Sequence, residues 1–135
     1  MKRENYSSGA PLEDKVGYSR MVRIGDFVFI GGTTSVQPDG SVYGENDPYE
    51  QAKYILSKQI NLLIAAGSKK EEVFRIKAYT TDMKYAAEIG RAYSEFFRNI
   101  RPVFTMVGTN MLNRPSQLVE VEMEAAAGSA PANGK

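Results

Sequence analysis

The sequence predicts a single α/β (α+β) domain, ordered β-β-α-β-α-β-β, with two helices on one face of a mixed sheet. Three observations predict it. Asp47-Pro48-Tyr49-Glu50 is a helix-start signal that opens an apolar stripe of helical period. A second helical stripe lies over residues 83–98. Short β-rich runs flank both stripes, bounded by Gly, Pro, Asn and Asp.

Residues 1–15 are polar and include Gly9 and Pro11, so they read as a loose lead-in to a domain spanning 16–126. Two strands follow, YSRMVRI and FVFIGG, joined by Gly25-Asp26 as a tight hairpin. Residues 36–47, VQPDGSVYGEND, are rich in turn residues and read as a loop. In the first helix Asp47 is the N-cap, Pro48 the first helical residue and Gly67 the terminator. Ala52, Ile55, Leu56 and Leu63 supply its core stripe. A strand over 72–81 alternates Phe74, Ile76 and Ala78 with Arg75, Lys77 and Tyr79. Asp82 caps the second helix, whose core face is Ala86, Ile89, Tyr93, Phe96 and Phe97. Pro102 opens the strand PVFTMVG, the loop TNMLNRPS follows, and QLVEVEMEA forms the last strand. Residues 127–135 are small and polar and read as a flexible tail.

Composition narrows the chemistry. The 135 residues carry 17 Lys+Arg against 16 Asp+Glu, so the basic excess of a nucleic-acid binder is missing and such a partner is not expected. Lys2-Arg3 and Lys69-Lys70 read as solvated surface. There is no cysteine, which removes disulfides and thiol chemistry, and no histidine, which removes the commonest general base and metal ligand. No metal site and no cofactor are expected. Chemistry must then use carboxylates, Arg, Lys, Tyr, backbone groups and water. The N-terminus has no apolar signal-peptide core, and no apolar run approaches the roughly 18 residues of a membrane span. No membrane partner is expected, and a cytoplasmic location follows by default.

The second strand is apolar on both sides, with Phe27 and Phe29 on one and Val28 and Ile30 on the other. Such strands are buried on both faces, and two helices cover only one. The other face is therefore expected to bury against sister subunits in a closed homo-oligomer, of a number that periodicity does not supply. On the last strand Glu120, Glu122 and Glu124 share one face, opposite Val119, Val121 and Met123. Three aligned carboxylates suit a polar cleft. Glu122 and Glu124 fit equally well as partners of Arg or Lys across a subunit boundary.

Three segments, GYSRMVRIGDFVFIGGTTS, AYSEFF and RPVFTMVGTN…RPSQLVEVEMEA, stand in an order and at spacings that resemble the Rid family, the reactive intermediate deaminases. The resemblance spans roughly residues 8 to 126. It implies a chorismate-mutase-like fold, a homotrimer with a central barrel-like core, and three inter-subunit clefts that each take a small-molecule substrate or ligand. The implied reaction is hydrolysis of enamines and imines to keto acids and ammonia. By motif, Glu120 is the water-handling residue. Tyr18, Gly31, Gly32 and Pro115 fall on substrate-binding positions.

The chain departs from that pattern. Phe104 stands where the family has its carboxylate-binding arginine, Met106 where it has Cys or Thr, Gly108 where active deaminases commonly have Glu, and Gly90 where it has Asn. A bidentate arginine–carboxylate bond contributes about 1.5–3 kcal/mol. Its loss is expected to shift substrate preference toward larger, less polar amines, with Phe104 and Tyr18 walling the pocket. Arg114, beside Pro115, is a candidate substitute that would fold back to hold an anion; Arg20 and Arg101 lie near in the motif. Gly31-Gly32-Thr33-Thr34 lacks the spacing of a phosphate loop and reads as close backbone approach at the cleft. Two other functions compete with a deaminase: a non-catalytic metabolite-binding trimer, and the ribonuclease or translation-inhibitor role borne by some family members. The last lacks histidine and basic surplus here.

Overall fold

The computed structural model describes residues 1–132. Six strands form one sheet in the order β1-β2-β3-β6-β4-β5. They are β1 Arg3–Tyr6, β2 Met21–Ile24, β3 Phe27–Thr33, β4 Val73–Thr80, β5 Val103–Gly108 and β6 Val119–Ala126. β4 and β5 are parallel and every other pair is antiparallel, so the sheet is mixed. Three helices accompany it: α1 Pro11–Val16, α2 Pro48–Ala65 and α3 Ala86–Phe97. From β2 onward the order is the expected β-β-α-β-α-β-β. No helix among the described residues is long and apolar enough to cross a membrane.

α2 forms where its signals are. The Asp47 side chain accepts from the Glu50 N–H at 3.0 Å, and Pro48 occupies the first turn. Gly67 leaves the helix at φ +83°, a conformation that costs glycine nothing. Arg23 reaches across from β2 to cap the Ala66 carbonyl at 2.6 Å. Ala52, Ile55, Leu56 and Leu63 are buried against the sheet as expected, together with Gln51 and Gln59. Asp82 caps a single 3-10 turn, Met83–Tyr85, by accepting from the Lys84 N–H, and α3 continues from it. On α3 the buried residues are Ile89, Ala92 and Phe97, while Tyr93 and Phe96 pack at the core's margin. Val28, Ile30, Ile76, Ala78, Val119, Val121 and Met123 complete the core from the sheet.

Two expectations need correction. The lead-in over 1–15 is structured: β1 pairs with β2, and α1 follows it. Glu13 anchors the segment, buried and accepting from the Ser7 hydroxyl at 2.9 Å and the Ser8 N–H at 3.1 Å. On β4, Phe74 does not share the core face of Ile76 and Ala78. The register against β6 shifts between Val73 and Arg75, so Val73 turns inward and Phe74 outward, edge-on to Phe27 at 6.3 Å. Of the expected tail, Ala127 donates to the Asp26 carbonyl and Gly128 to the Glu72 carboxylate at 2.8 Å. Residues 133–135 lie outside the described residues.

Candidate functional site

The site is built on the sheet face away from the helices, where Phe27 and Phe29 are 47% and 41% exposed. It centres on an irregularity in β3. Ile30 pairs with Met123 and Thr33 with Val121, so Gly31 and Gly32 together oppose the single residue Glu122. Glycine leaves room for the carboxylate at this bulge: a Cβ on Gly32 would lie 2.6 Å from Glu120 Oε2 and 2.9 Å from its carboxyl carbon, so Glu120 would have to move. Omitting that one carbon lets the carboxylate lie against the β3 backbone.

The three β6 glutamates do not share one environment. Tyr79 donates its hydroxyl to Glu122 at 2.8 Å, and Arg75 forms an ion pair with Glu124 at 3.4 Å. Both partners belong to β4 of the same chain, so these pairs need no subunit boundary. Glu120 pairs in register with Tyr79, but among the described residues no side chain hydrogen-bonds or ion-pairs with it. Burial pushes the Glu120 carboxyl above its usual range; the Arg20 guanidinium opposes the rise, and Glu122 adds to it. A half-buried carboxyl raised in this way can accept and return a proton closer to neutral pH than a surface glutamate can.

Arg20 immediately precedes β2. Its backbone donates to the Tyr6 carbonyl and accepts from the Gly31 N–H, each at 3.0 Å. Its guanidinium donates to the Gly32 carbonyl, and its Nε lies 3.6 Å from the Glu13 carboxylate. The Tyr18 ring lies 5.7 Å from the same guanidinium and is 40% exposed. Tyr18, Gly31, Gly32 and Glu120 therefore lie around Arg20 in the fold. Beside this cluster, Phe29, Gly31, Arg75, Lys77, Glu122 and Glu124 line an open depression of about 440 Å³.

The remaining candidates lie elsewhere in the chain. Phe104 is on the sheet's helix side: it pairs in register with core residue Ile76, and its ring stacks on Tyr93 of α3 at 4.2 Å. Met106 pairs with Ala78 and packs on the same side. Within one chain, Phe104 and Tyr18 thus do not wall a common pocket. Next to Gly108, the Met83 side chain fills the space a Cβ would enter, at 3.2 Å. Arg114 donates its guanidinium to the Gly40 carbonyl at 2.7 Å, which ties the Pro115 loop to the 36–42 turn and not to Glu120.

Sequence reasoning missed the Glu13–Arg20 contact and the buried glutamines, of which Gln51 and Gln117 hold the segment leading into β6. Gln51 accepts from the Leu118 N–H and donates to the carbonyls of Gly44 and Ser116, fixing the entry into β6 ahead of Glu120. Gln117 is buried too, accepting from the Arg114 N–H and donating to the Thr34 hydroxyl. For Gln51 the available signal was a glutamine on the apolar side of a helical stripe; Gln117, outside any helix, had none. Among the described residues, no three His, Cys, Asp or Glu side chains are grouped to hold a metal ion.

The profile of the family described as Endoribonuclease L-PSP matches residues 9–127. An uncharacterised protein of Streptomyces coelicolor is 35% identical over 122 residues, covering 90% of each chain. A RutC family protein of Pyrococcus abyssi is 28% identical over 110 residues, 82% of this chain and 84% of its own. Among solved structures, Rv2704 of Mycobacterium tuberculosis, a member of the YjgF/YER057c/UK114 family, matches with a TM-score of 0.84 at 36% identity, over 93% of this chain and all of its own. With the motifs, the strand order and the profile in agreement, this chain belongs to the L-PSP family, also called the YjgF, RutC or Rid family.

Proposed function

We propose that the chain assembles as a homotrimer whose inter-subunit clefts hydrolyse an enamine or imine metabolite, with Glu120 handling the water. The observation that carries this reading is the contrast among the β6 carboxylates. Glu122 and Glu124 have partners on β4, whereas Glu120 lies half-buried on a glycine bulge with its proton affinity raised.

The chemistry needs only such a group. Water adds to the imine carbon as Glu120 takes its proton. The proton is returned to nitrogen, the carbinolamine collapses to a carbonyl, and ammonia leaves. The bulged backbone at Gly31-Gly32 can orient the nitrogen. Family membership and the exposed phenylalanines Phe27 and Phe29 support burial of this sheet face between copies. The division of candidates between two places in one chain fits the same assembly. Tyr18, Gly32 and Glu120 would form one wall of a cleft, and Phe104, Met106 and Gly90 on a second copy would form the other.

Phe104 also favours a second reading. With an aromatic ring stacked on Tyr93 in place of the arginine, and Met83 over Gly108, the trimer could bind a metabolite without turning it over. The ribonuclease role gains no support from a chain without histidine. The deciding experiment releases an imino acid in situ with an amino-acid oxidase acting on leucine or phenylalanine and follows ammonia release. The enzyme reading expects acceleration over buffer, with the bulkier imine preferred; a rate equal to buffer for both rejects it.

A further inference from the structure

We propose that Arg20, held by Glu13, is a positioning residue for the Glu120 carboxylate, which makes the N-terminal segment part of the functional site. The inference rests on the reading of Glu120 as the water-handling group. It goes beyond that reading in naming what holds the group in place.

Two side chains converge on Gly32 from different elements. Glu120 of β6 presses its carboxylate where a Cβ would stand, and Arg20, just ahead of β2, donates to the Gly32 carbonyl. The bulge is thus held on one side by a cation and occupied on the other by the carboxylate. Arg20 is itself fixed from three directions. Its backbone is hydrogen-bonded on both edges, to Tyr6 and Gly31. Its Nε faces Glu13, a carboxylate 2% exposed with its oxygens satisfied by Ser7 and Ser8. Burial pushes Glu13 up, but the hydrogen bonds from Ser8 and Ser7 and the Arg20 charge outweigh it, so its carboxyl stays below the usual range and remains an anion. A buried, hydrogen-bonded anion is a fixed anchor for a guanidinium; Ser8 and Ser7 offset most of the cost of burying Glu13, and the Arg20 charge adds to them.

The charged neighbourhood is compact. Glu120 faces Arg20 from the residue ahead of β2, Glu122 from its own strand and Tyr79 from β4. Arg20 in turn faces Glu13 and Lys58 of α2, whose amine donates to the Val36 carbonyl and is held down in proton affinity by burial first and then by Arg20. Arg20 is therefore the cation that favours the ionised form of Glu120, while burial and Glu122 favour the protonated form. Without Arg20 the carboxyl should take its proton at higher pH, and the Gly32 carbonyl should lose its donor.

The test is carboxyl-carbon NMR titration of Glu120, assigned by comparison with Glu120→Gln, in the full chain and in Arg20→Met, Arg20→Lys and Glu13→Gln. The midpoint is expected to rise in Arg20→Met, to stay near the parent value in Arg20→Lys, and to fall between them in Glu13→Gln, where the anchor weakens. On the imine substrate, turnover near neutral pH should fall about tenfold in Arg20→Met, with the acid limb of the pH profile moved to higher pH. A Glu120 midpoint unchanged in Arg20→Met overturns the proposal. Should that variant not fold, an unchanged midpoint in Glu13→Gln overturns it equally. A moved midpoint in a protein with no imine turnover would sustain the positioning role while removing the deaminase reading, so the two can fail separately.

Discussion

Glu120 and Gly32 occupy each other's space: the carboxylate of one lies 2.6 Å from where the side chain of the other would begin. Two strands with a bulge between them make that approach possible. It sets the geometry on which the proposed chemistry depends.

Gly32→Ala should therefore act on activity more than on stability. The obstructing atoms belong to the end of a side chain, so Glu120 can swing away and the fold should survive with a loss of about 1 kcal/mol or less. The displaced carboxylate should lower kcat about 10- to 100-fold. Chemical denaturation together with imine turnover checks both. A variant that unfolds while its folded fraction keeps full turnover would contradict the geometry.

Glu120→Gln should change the pH dependence of stability in a defined direction. A carboxyl whose folded-state proton affinity is raised binds more protons folded than unfolded, so its contribution is full at low pH and declines as pH rises through the folded midpoint. The cause is burial first, strengthened by Glu122 and opposed by Arg20. Glutamine carries no such penalty. Thermal melts should show the variant equal to or more stable than the parent at pH 7, with that advantage gone near pH 4. A variant less stable at pH 7 than at pH 4, relative to the parent, would reverse the sign.

Gln51 and Gln59 are both wholly buried on α2, yet they should not cost the same to remove. Gln51 serves one N–H and two carbonyls of the loops at Gly44 and Ser116–Leu118. Gln59 donates only to the Val121 carbonyl. Gln51→Leu should destabilise by about 3 kcal/mol and Gln59→Leu by about 1, because stranded buried groups set the cost. Urea unfolding of the pair measures the difference.

Phe104→Ala tests whether that ring serves the helix layer. It stacks on Tyr93 at 4.2 Å from a half-buried position. Its removal should cost about 2 kcal/mol, below the roughly 3–5 of a fully buried phenylalanine. Equal stability in a denaturation curve would show that the stack contributes nothing.

What the sequence revealed follows the range of its signals. α2 was legible because Asp47, Pro48 and Gly67 act within a turn of the helix they bound. The β2–β3 hairpin was legible from Gly25-Asp26 for the same reason. Phe74 was placed on the wrong face because alternation assumes an unbroken ladder, and the shift at Val73–Arg75 is visible only against β6. Residues 1–15 read as loose because their order depends on tertiary partners. A six-residue helix has little stability of its own, and Glu13 becomes an anchor only once Arg20 and the Ser7-Ser8 turn surround it. Tyr18, Gly31, Gly32 and Glu120 were singled out through the family motif alone, since no local pattern says that they lie near one another. The side of the sheet that Phe104 takes is set by its pairing with Ile76 on β4, a relation between strands 28 residues apart that no local pattern carries.

The most direct measurement is imine hydrolysis by the parent and by Glu120→Gln at equal concentration, after light scattering has given both the same assembly mass. Parent turnover clearly above buffer and a fall of about 10²–10⁴-fold in the variant are the predicted results. Parent turnover that persists in Glu120→Gln would contradict the role of this carboxylate, whatever the assembly.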